Sequence, residues 1–190
     1  MKKIGNTLLI LLAVVLANFL LWAMASRSAV EQPWGGVINA FSYSGWQAGD
    51  QANKLTDAEI ARDMELLKAH TNAIRTYGVS DGLDRIPAIA AQHGLQTIVG
   101  GWLSRDSKAN QEELDRLITV VKNNPGIHTV MVGNEALLRT DVTAEQLIAA
   151  IEQVKRQIDK PVSTAEPWHV WLKHPELVNA VDFITVHILP

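Results

Sequence analysis

Six short apolar runs alternate with five amphipathic stretches along this chain, at a repeat of roughly 25–30 residues. Residues 36–41 read as the first strand, followed by a polar loop over 42–55. Thr56 is a good N-cap, and Glu59 three residues on completes a capping box. The helix it opens is expected to reach about residue 70, with Ile60, Met64 and Leu67 on one face. Residues 73–77 form a second strand stopped by Gly78, and 83–93 a helix stopped by Gly94. A third strand over 96–99 ends at Gly100 and Gly101, and a helix over 111–123 carries Leu114, Leu117, Ile118 and Val121. Residues 129–133 are the heart of the fourth strand, and Thr143 with Gln146 caps the next helix, to about residue 158. Residues 161–165, 170–179 and 183–186 then read as strand, short helix and strand.

Such alternation specifies a parallel α/β sheet. A doubly wound sheet would place a glycine-rich phosphate loop after its first strand. Here the first strand leads into Ser42-Tyr43-Ser44-Gly45-Trp46, which has no such pattern. Every strand end instead carries polar or aromatic residues, as the working face of a (β/α)8 TIM-type barrel does. A complete barrel takes about 250 residues, whereas about 155 follow Gly36. The expected architecture is therefore an incomplete barrel with about six of the eight strands. It would be a truncated product or the N-terminal part of a longer protein.

The N-terminus has a different character. Lys2 and Lys3 precede residues 8–25, an apolar run interrupted only by Asn18. As a helix this run spans about 27 Å, near the hydrocarbon thickness of a bilayer. Trp22 suits the membrane interface, and the lysines predict a cytoplasmic start with the remainder exported. Residues 23–25 also fit a signal-cleavage site. The expected organisation is a membrane anchor or signal segment over 1–29 and a partial barrel over 30–190. The barrel would sit on the periplasmic or extracytoplasmic side of the inner membrane, or be secreted after cleavage.

Composition narrows the chemistry. With 17 basic and 20 acidic residues, the chain offers no electrostatic footprint for nucleic acid. It has no cysteine, which excludes disulfides and thiolate metal sites. His169 and His174 are poorly spaced for ligands on one helix face, so no metal and no cofactor is expected.

The strand ends carry the candidate site. Tyr43 follows the first strand, Arg75 and Tyr77 lie on the second, and Trp102 follows the third. Asn134 and Glu135 follow the fourth, Glu166 and Trp168 the fifth, and His187 the sixth. Carboxylates perform acid/base and nucleophilic chemistry at an acetal carbon, and aromatic rings stack on sugar faces. Taken singly, each residue has a plainer reading. Glu135 could be a surface cap, Asn134 a turn residue, Glu166 a helix-leading acid, Arg75 half of an internal ion pair, and His187 a core histidine.

Five blocks in order strengthen the first reading: Phe41-Ser42-Tyr43-Ser44-Gly45-Trp46, Ile74-Arg75-Thr76-Tyr77, Val132-Gly133-Asn134-Glu135-Ala136-Leu137-Leu138-Arg139, Ser163-Thr164-Ala165-Glu166-Pro167-Trp168, and Asp182 through Pro190. Over residues 36–190 the chain resembles the bacterial branch of glycoside hydrolase family 17, β-1,3-glucanases and glucan transglycosylases. The resemblance implies a retaining barrel enzyme acting on β-1,3- or β-1,6-glucan. It makes Glu135 the acid/base and gives Asn134 a hydrogen bond to the sugar 2-hydroxyl or the nucleophile. Tyr43, Arg75, Tyr77, Trp102, Glu166, Trp168 and His187 are expected to bind substrate. The family's nucleophile follows a seventh strand and has no counterpart here; Glu166 is expected to shape a sugar subsite or the surroundings of Glu135. Members of this type are often membrane-anchored, and some precede a glycosyltransferase module, which is the implied partner. The rival expectation is a non-catalytic glucan-binding or scaffold module of a membrane glucan synthase.

Overall fold

Six parallel strands pair strictly in chain order, each with its sequence neighbours, into a TIM-like half-barrel. The structure is a computed structural model that describes residues 2–26, 38–45 and 55–188. The chain divides into two units, Met1–Gly36 and Val37–Pro190. The first contains helix α1, Lys2–Ala25, whose described side chains are exposed. The apolar stretch with described side chains begins at Leu9. Among the described residues no helix is long and apolar enough to cross a membrane.

In the second unit the elements run β1 Ile38–Ser42, α2 Asp57–Leu67, β2 Thr71–Arg75, α3 Ile86–Gln92, β3 Gln96–Gly101, α4 Ser107–Asn123, β4 Ile127–Asn134, α5 Ala144–Lys155, β5 Val162–Pro167, α6 Trp168–Lys173 and β6 Thr185–His187. Both expected capping boxes form. Thr56 accepts from the Glu59 N–H while Glu59 accepts from the Thr56 N–H, and Thr143 and Gln146 do the same.

Several boundaries differ from expectation, those of β2 and β6 among them, and four others do so for a local reason. The stretch over 83–93 opens as a 3₁₀ turn, Leu83–Arg85, because Gly82 precedes it at a φ of +85° and Pro87 restarts the helix at its first turn. Helix α4 begins before Gln111, because the Asp106 carboxylate caps the amides of Lys108 and Ala109. The stretch over 170–179 divides into α6 and a 3₁₀ turn, Pro175–Asn179, since Pro175 has no N–H to continue the helix. Strand β3 runs through Gly100 and Gly101 instead of stopping at them. A Cβ on Gly100 would lie 2.4 Å from the Thr76 carbonyl oxygen, so glycine permits the backbone just after β2 to approach there. Gly36, Val37, residues 46–54 with Trp46, Leu189 and Pro190 lie outside the described residues.

The main core lies between β3–β5 and the helices α4 and α5, centred on Val99, Leu117, Val130, Leu147 and Ile151. Burying each such side chain is worth about 1.5–3 kcal/mol. Trp171 belongs to this core, with its Nε1–H donating to the Thr185 carbonyl at 3.0 Å. A smaller cluster of Ile60, Met64, Ile74, Ile86, Ile89, Ala90 and Leu95 seats α2 and α3. These two layers fix the sheet and leave its C-terminal strand ends to carry polar groups.

Candidate active site

Three strands deliver one polar cluster from their last residues: Arg75 from β2, Asn134 from β4 and His187 from β6. Arg75 Nη2 donates to Asn134 Oδ1 at 2.8 Å, and its Nη1 lies 3.2 Å from His187 Nε2. The other imidazole nitrogen, Nδ1, lies 2.5 Å from Glu135 Oε1. Arginine has only donors, so Asn134 must turn its oxygen to Arg75 and keep its NH₂ for another acceptor. Burial lowers the pKa of the guanidinium, while the negative forms of Tyr77 and Glu135 act in the opposite direction. The buried Nε of Arg75 has no hydrogen-bond partner among the described residues.

The backbone turns sharply to place Glu135. Gly133 has a φ of +82° and Glu135 a φ of +54°, and the ladder with β5 shifts register between Met131 and Asn134. Left-handed geometry costs a non-glycine residue about 1–2 kcal/mol. It is sustained here by the Glu135 N–H, which donates to the Ala165 carbonyl at 2.7 Å. Such strain held by its surroundings is a mark of functional positions.

Two buried carboxylates and one arginine brace the surrounding loops. Glu166 is 0% exposed, and its two oxygens accept the Leu137 and Leu138 amides at 2.9 and 3.3 Å. Burial pushes its carboxyl pKa above the ordinary value; the two amides oppose this, Glu135 adds to it, and Arg139 opposes it. Glu113, on α4, accepts the Val79 and Trp102 amides at 2.8 and 3.0 Å, and the Ser80 hydroxyl at 2.5 Å. It thereby joins the loops after β2 and β3. Arg139 donates to the Asn134 carbonyl, to Asp141 Oδ2 at 2.8 Å and to the Leu103 carbonyl at 3.0 Å. Its guanidinium carbon lies 4.1 Å from the Trp102 ring centroid.

The expected substrate contacts therefore divide. Asn134, Tyr77, Trp102 and Trp168 keep free groups or faces; Trp102 and Trp168 are 42% and 60% exposed. Tyr77 lies beside Arg75, whose guanidinium carbon is 5.2 Å from its ring centroid. The other four have internal partners. Tyr43 packs on the smaller core, and its hydroxyl donates to Asp63 of α2 at 2.9 Å. Its pKa is raised first by burial and then by that bond. Glu166 is sealed beneath the loop after β4. Both ring nitrogens of His187 are engaged by protein groups, and each terminal nitrogen of Arg75 directs one of its two N–H groups to a protein atom.

Arg139 and Glu113 escaped sequence reasoning as site residues. Glu113 did leave a signal, since it sits four residues before Leu117 on the apolar stripe of its helix, where a carboxylate needs buried donors. Among the described residues no group of three His, Cys, Asp or Glu could hold a metal ion.

Residues 40–190 match the family described as the BtgE/BtgC glycoside hydrolase domain. A glucan 1,3-beta-glucosidase of Schizosaccharomyces pombe is 30% identical over 159 residues, covering 77% of this chain and 49% of that protein. A glucan 1,3-beta-glucosidase of Candida albicans is 32% identical over 124 residues, covering 57% and 40% respectively. The chain thus spans about half the length, or less, of these curated relatives. Among solved structures, an active-site mutant of Rhizomucor miehei beta-1,3-glucanosyltransferase in complex with laminaritriose superposes with a TM-score of 0.66. The identity is 24%, covering 79% of this chain and 56% of that one, and the likeness supports the fold.

Proposed function

Because the chain belongs to the BtgE/BtgC glycoside hydrolase domain family, we propose that it carries the acid/base half of a retaining β-1,3-glucan hydrolase or transglycosylase. Glu135 is the acid/base. The observation that carries this reading is its placement, at the C-terminal end of β4 in a strained turn, held against His187 and beside an Asn134 whose amide Arg75 orients.

Glu135 protonates the departing glycosidic oxygen and then takes a proton from the incoming water or sugar hydroxyl. Which acceptor arrives decides between hydrolysis and transglycosylation. The Asn134 NH₂ donates to a sugar hydroxyl, and Trp102 and Trp168 offer exposed faces for sugar rings. A retaining mechanism needs a second carboxylate about 5–5.5 Å from the first. Glu166 does not serve, because both its oxygens are sealed against backbone amides. We assign the nucleophile to a further barrel strand of the whole protein, as the resemblance to glycoside hydrolase family 17 implies.

The relatives reported above are fungal, so kinship with the bacterial branch belongs to this proposal. So does an anchoring role for α1, which would hold the barrel on the extracytoplasmic side of a membrane, beside a glycosyltransferase module or subunit. The test is cleavage of β-1,3-glucan oligosaccharides by the full-length protein and its Glu135→Gln variant.

A further inference from the structure

The geometry points to His187 as a positioning residue whose tautomer is set by Arg75 and which fixes the side of the Glu135 carboxyl that carries the catalytic proton. The inference rests on the acid/base reading of Glu135 for its consequence, but not for its first step.

That first step is a question of donors. Arg75 Nη1 lies 3.2 Å from His187 Nε2 and can only donate. Nε2 must therefore accept, which leaves the ring proton on Nδ1. Nδ1 lies 2.5 Å from Glu135 Oε1, so it donates there. The contact is a neutral N–H donor on a carboxyl group, not an ion pair, because Arg75 occupies the nitrogen that a second ring proton would need. Arg75 in turn is held by Asn134 Oδ1 through Nη2. Its guanidinium therefore cannot turn away without breaking both bonds.

The second step concerns the carboxyl. With Oε1 accepting from Nδ1, the proton of the acid form resides on Oε2. As the glycosidic bond breaks, its electron pair and the Oε2 proton go to the leaving oxygen, and the anomeric carbon bonds to the carboxylate nucleophile assigned above to the whole protein. In the second half, the oxygen of water or a sugar hydroxyl bonds to that carbon, the nucleophile carboxylate leaves with its electron pair, and Oε2 takes the one proton released. His187 keeps its own proton throughout. The imidazole is thus neither a sugar contact nor a proton carrier. It holds Oε1 so that Oε2 faces the substrate.

The test uses the full-length protein labelled with ¹⁵N-histidine. The His187 signals are identified by their loss in His187→Asn. The expected spectrum has a protonated Nδ1 and an unprotonated Nε2, and Arg75→Met removes this preference. A protonated Nε2 in the wild type would overturn the inference, as would an Nδ1–H form that Arg75→Met leaves unchanged.

Activity supplies the second arm. His187→Leu lowers kcat/KM on β-1,3-glucan oligosaccharides about 10- to 100-fold, the worth of a hydrogen bond to a charged group. His187→Asn, which retains an N–H near the Nδ1 position, recovers to within about fivefold of wild type. Full activity in His187→Leu, or no recovery in a folded His187→Asn, contradicts the positioning role. If the wild type cleaves no glucan, or Glu135→Gln cleaves it as well as the wild type, the proposed function fails instead, while the spectrum still decides the tautomer. If His187→Leu does not fold, the wild-type spectrum alone remains decisive.

Discussion

Arg75 donates from Nη2 to Oδ1 of Asn134 at 2.8 Å, joining the end of β2 to the end of β4. One planar guanidinium thereby sets the orientation of an amide and, through Nη1, reaches the imidazole beside Glu135. An ammonium group would keep the charge but not this fork. Arg75→Lys should therefore fold and yet lose about 10- to 100-fold in kcat/KM on β-1,3-glucan oligosaccharides, because the Asn134 amide is freed to turn. Steady-state kinetics with a matching circular-dichroism melt checks this. Wild-type kinetics in Arg75→Lys would show that the fork is dispensable.

Glu113 binds the Val79 and Trp102 amides and the Ser80 hydroxyl together. Glu113→Ala strands three donors in a buried site. Each unsatisfied donor costs about 1–3 kcal/mol, less where water enters the space left behind. The expected loss is at least about 2 kcal/mol in urea unfolding, with a smaller loss for Glu113→Gln. A loss below about 0.5 kcal/mol for Glu113→Ala would mean that the loops after β2 and β3 are held by something else.

The capping boxes and the strand order were legible in the sequence because each rests on local pattern or on the βα repeat. The partners of Arg75, Glu166 and His187 were not. Arg75 and His187 meet across 112 residues, and Arg75 and Asn134 across 59, so their pairing depends on barrel curvature and not on spacing. Glu166 at a strand end reads as a group facing ligand. Its burial depends on residues 136–138 folding back over β5, which no periodicity announces. Tyr43 misleads in the same way, since its ring is drawn into the α2 layer by Asp63.

The carboxyl of Glu166 also carries a pH signature. Burial raises its pKa above the ordinary value of 4.5, so the folded protein holds this proton at pH values where the unfolded chain has released it. The stability linked to Glu166 is thus fully present below the unfolded value and is lost as pH rises through the raised folded value. The stability of the wild type minus that of Glu166→Gln should therefore decline from about pH 4 upward. Urea unfolding of both proteins across pH 4–8 measures it. A difference that grows with pH would mean that the two amide bonds outweigh burial.

The central claim is that Glu135 supplies the proton to the departing glycosidic oxygen. The most direct measurement compares kcat/KM of the full-length wild type and Glu135→Gln on two substrates. One is a β-1,3-glucan oligosaccharide; the other is an aryl β-glucoside whose phenolate departs without protonation. Because kcat/KM reports the first irreversible step, the later base role does not obscure the comparison. The account predicts a loss of about 10²–10⁴-fold on the oligosaccharide and less than about tenfold on the aryl glucoside. Equal losses on both substrates, or none on the oligosaccharide, would contradict it.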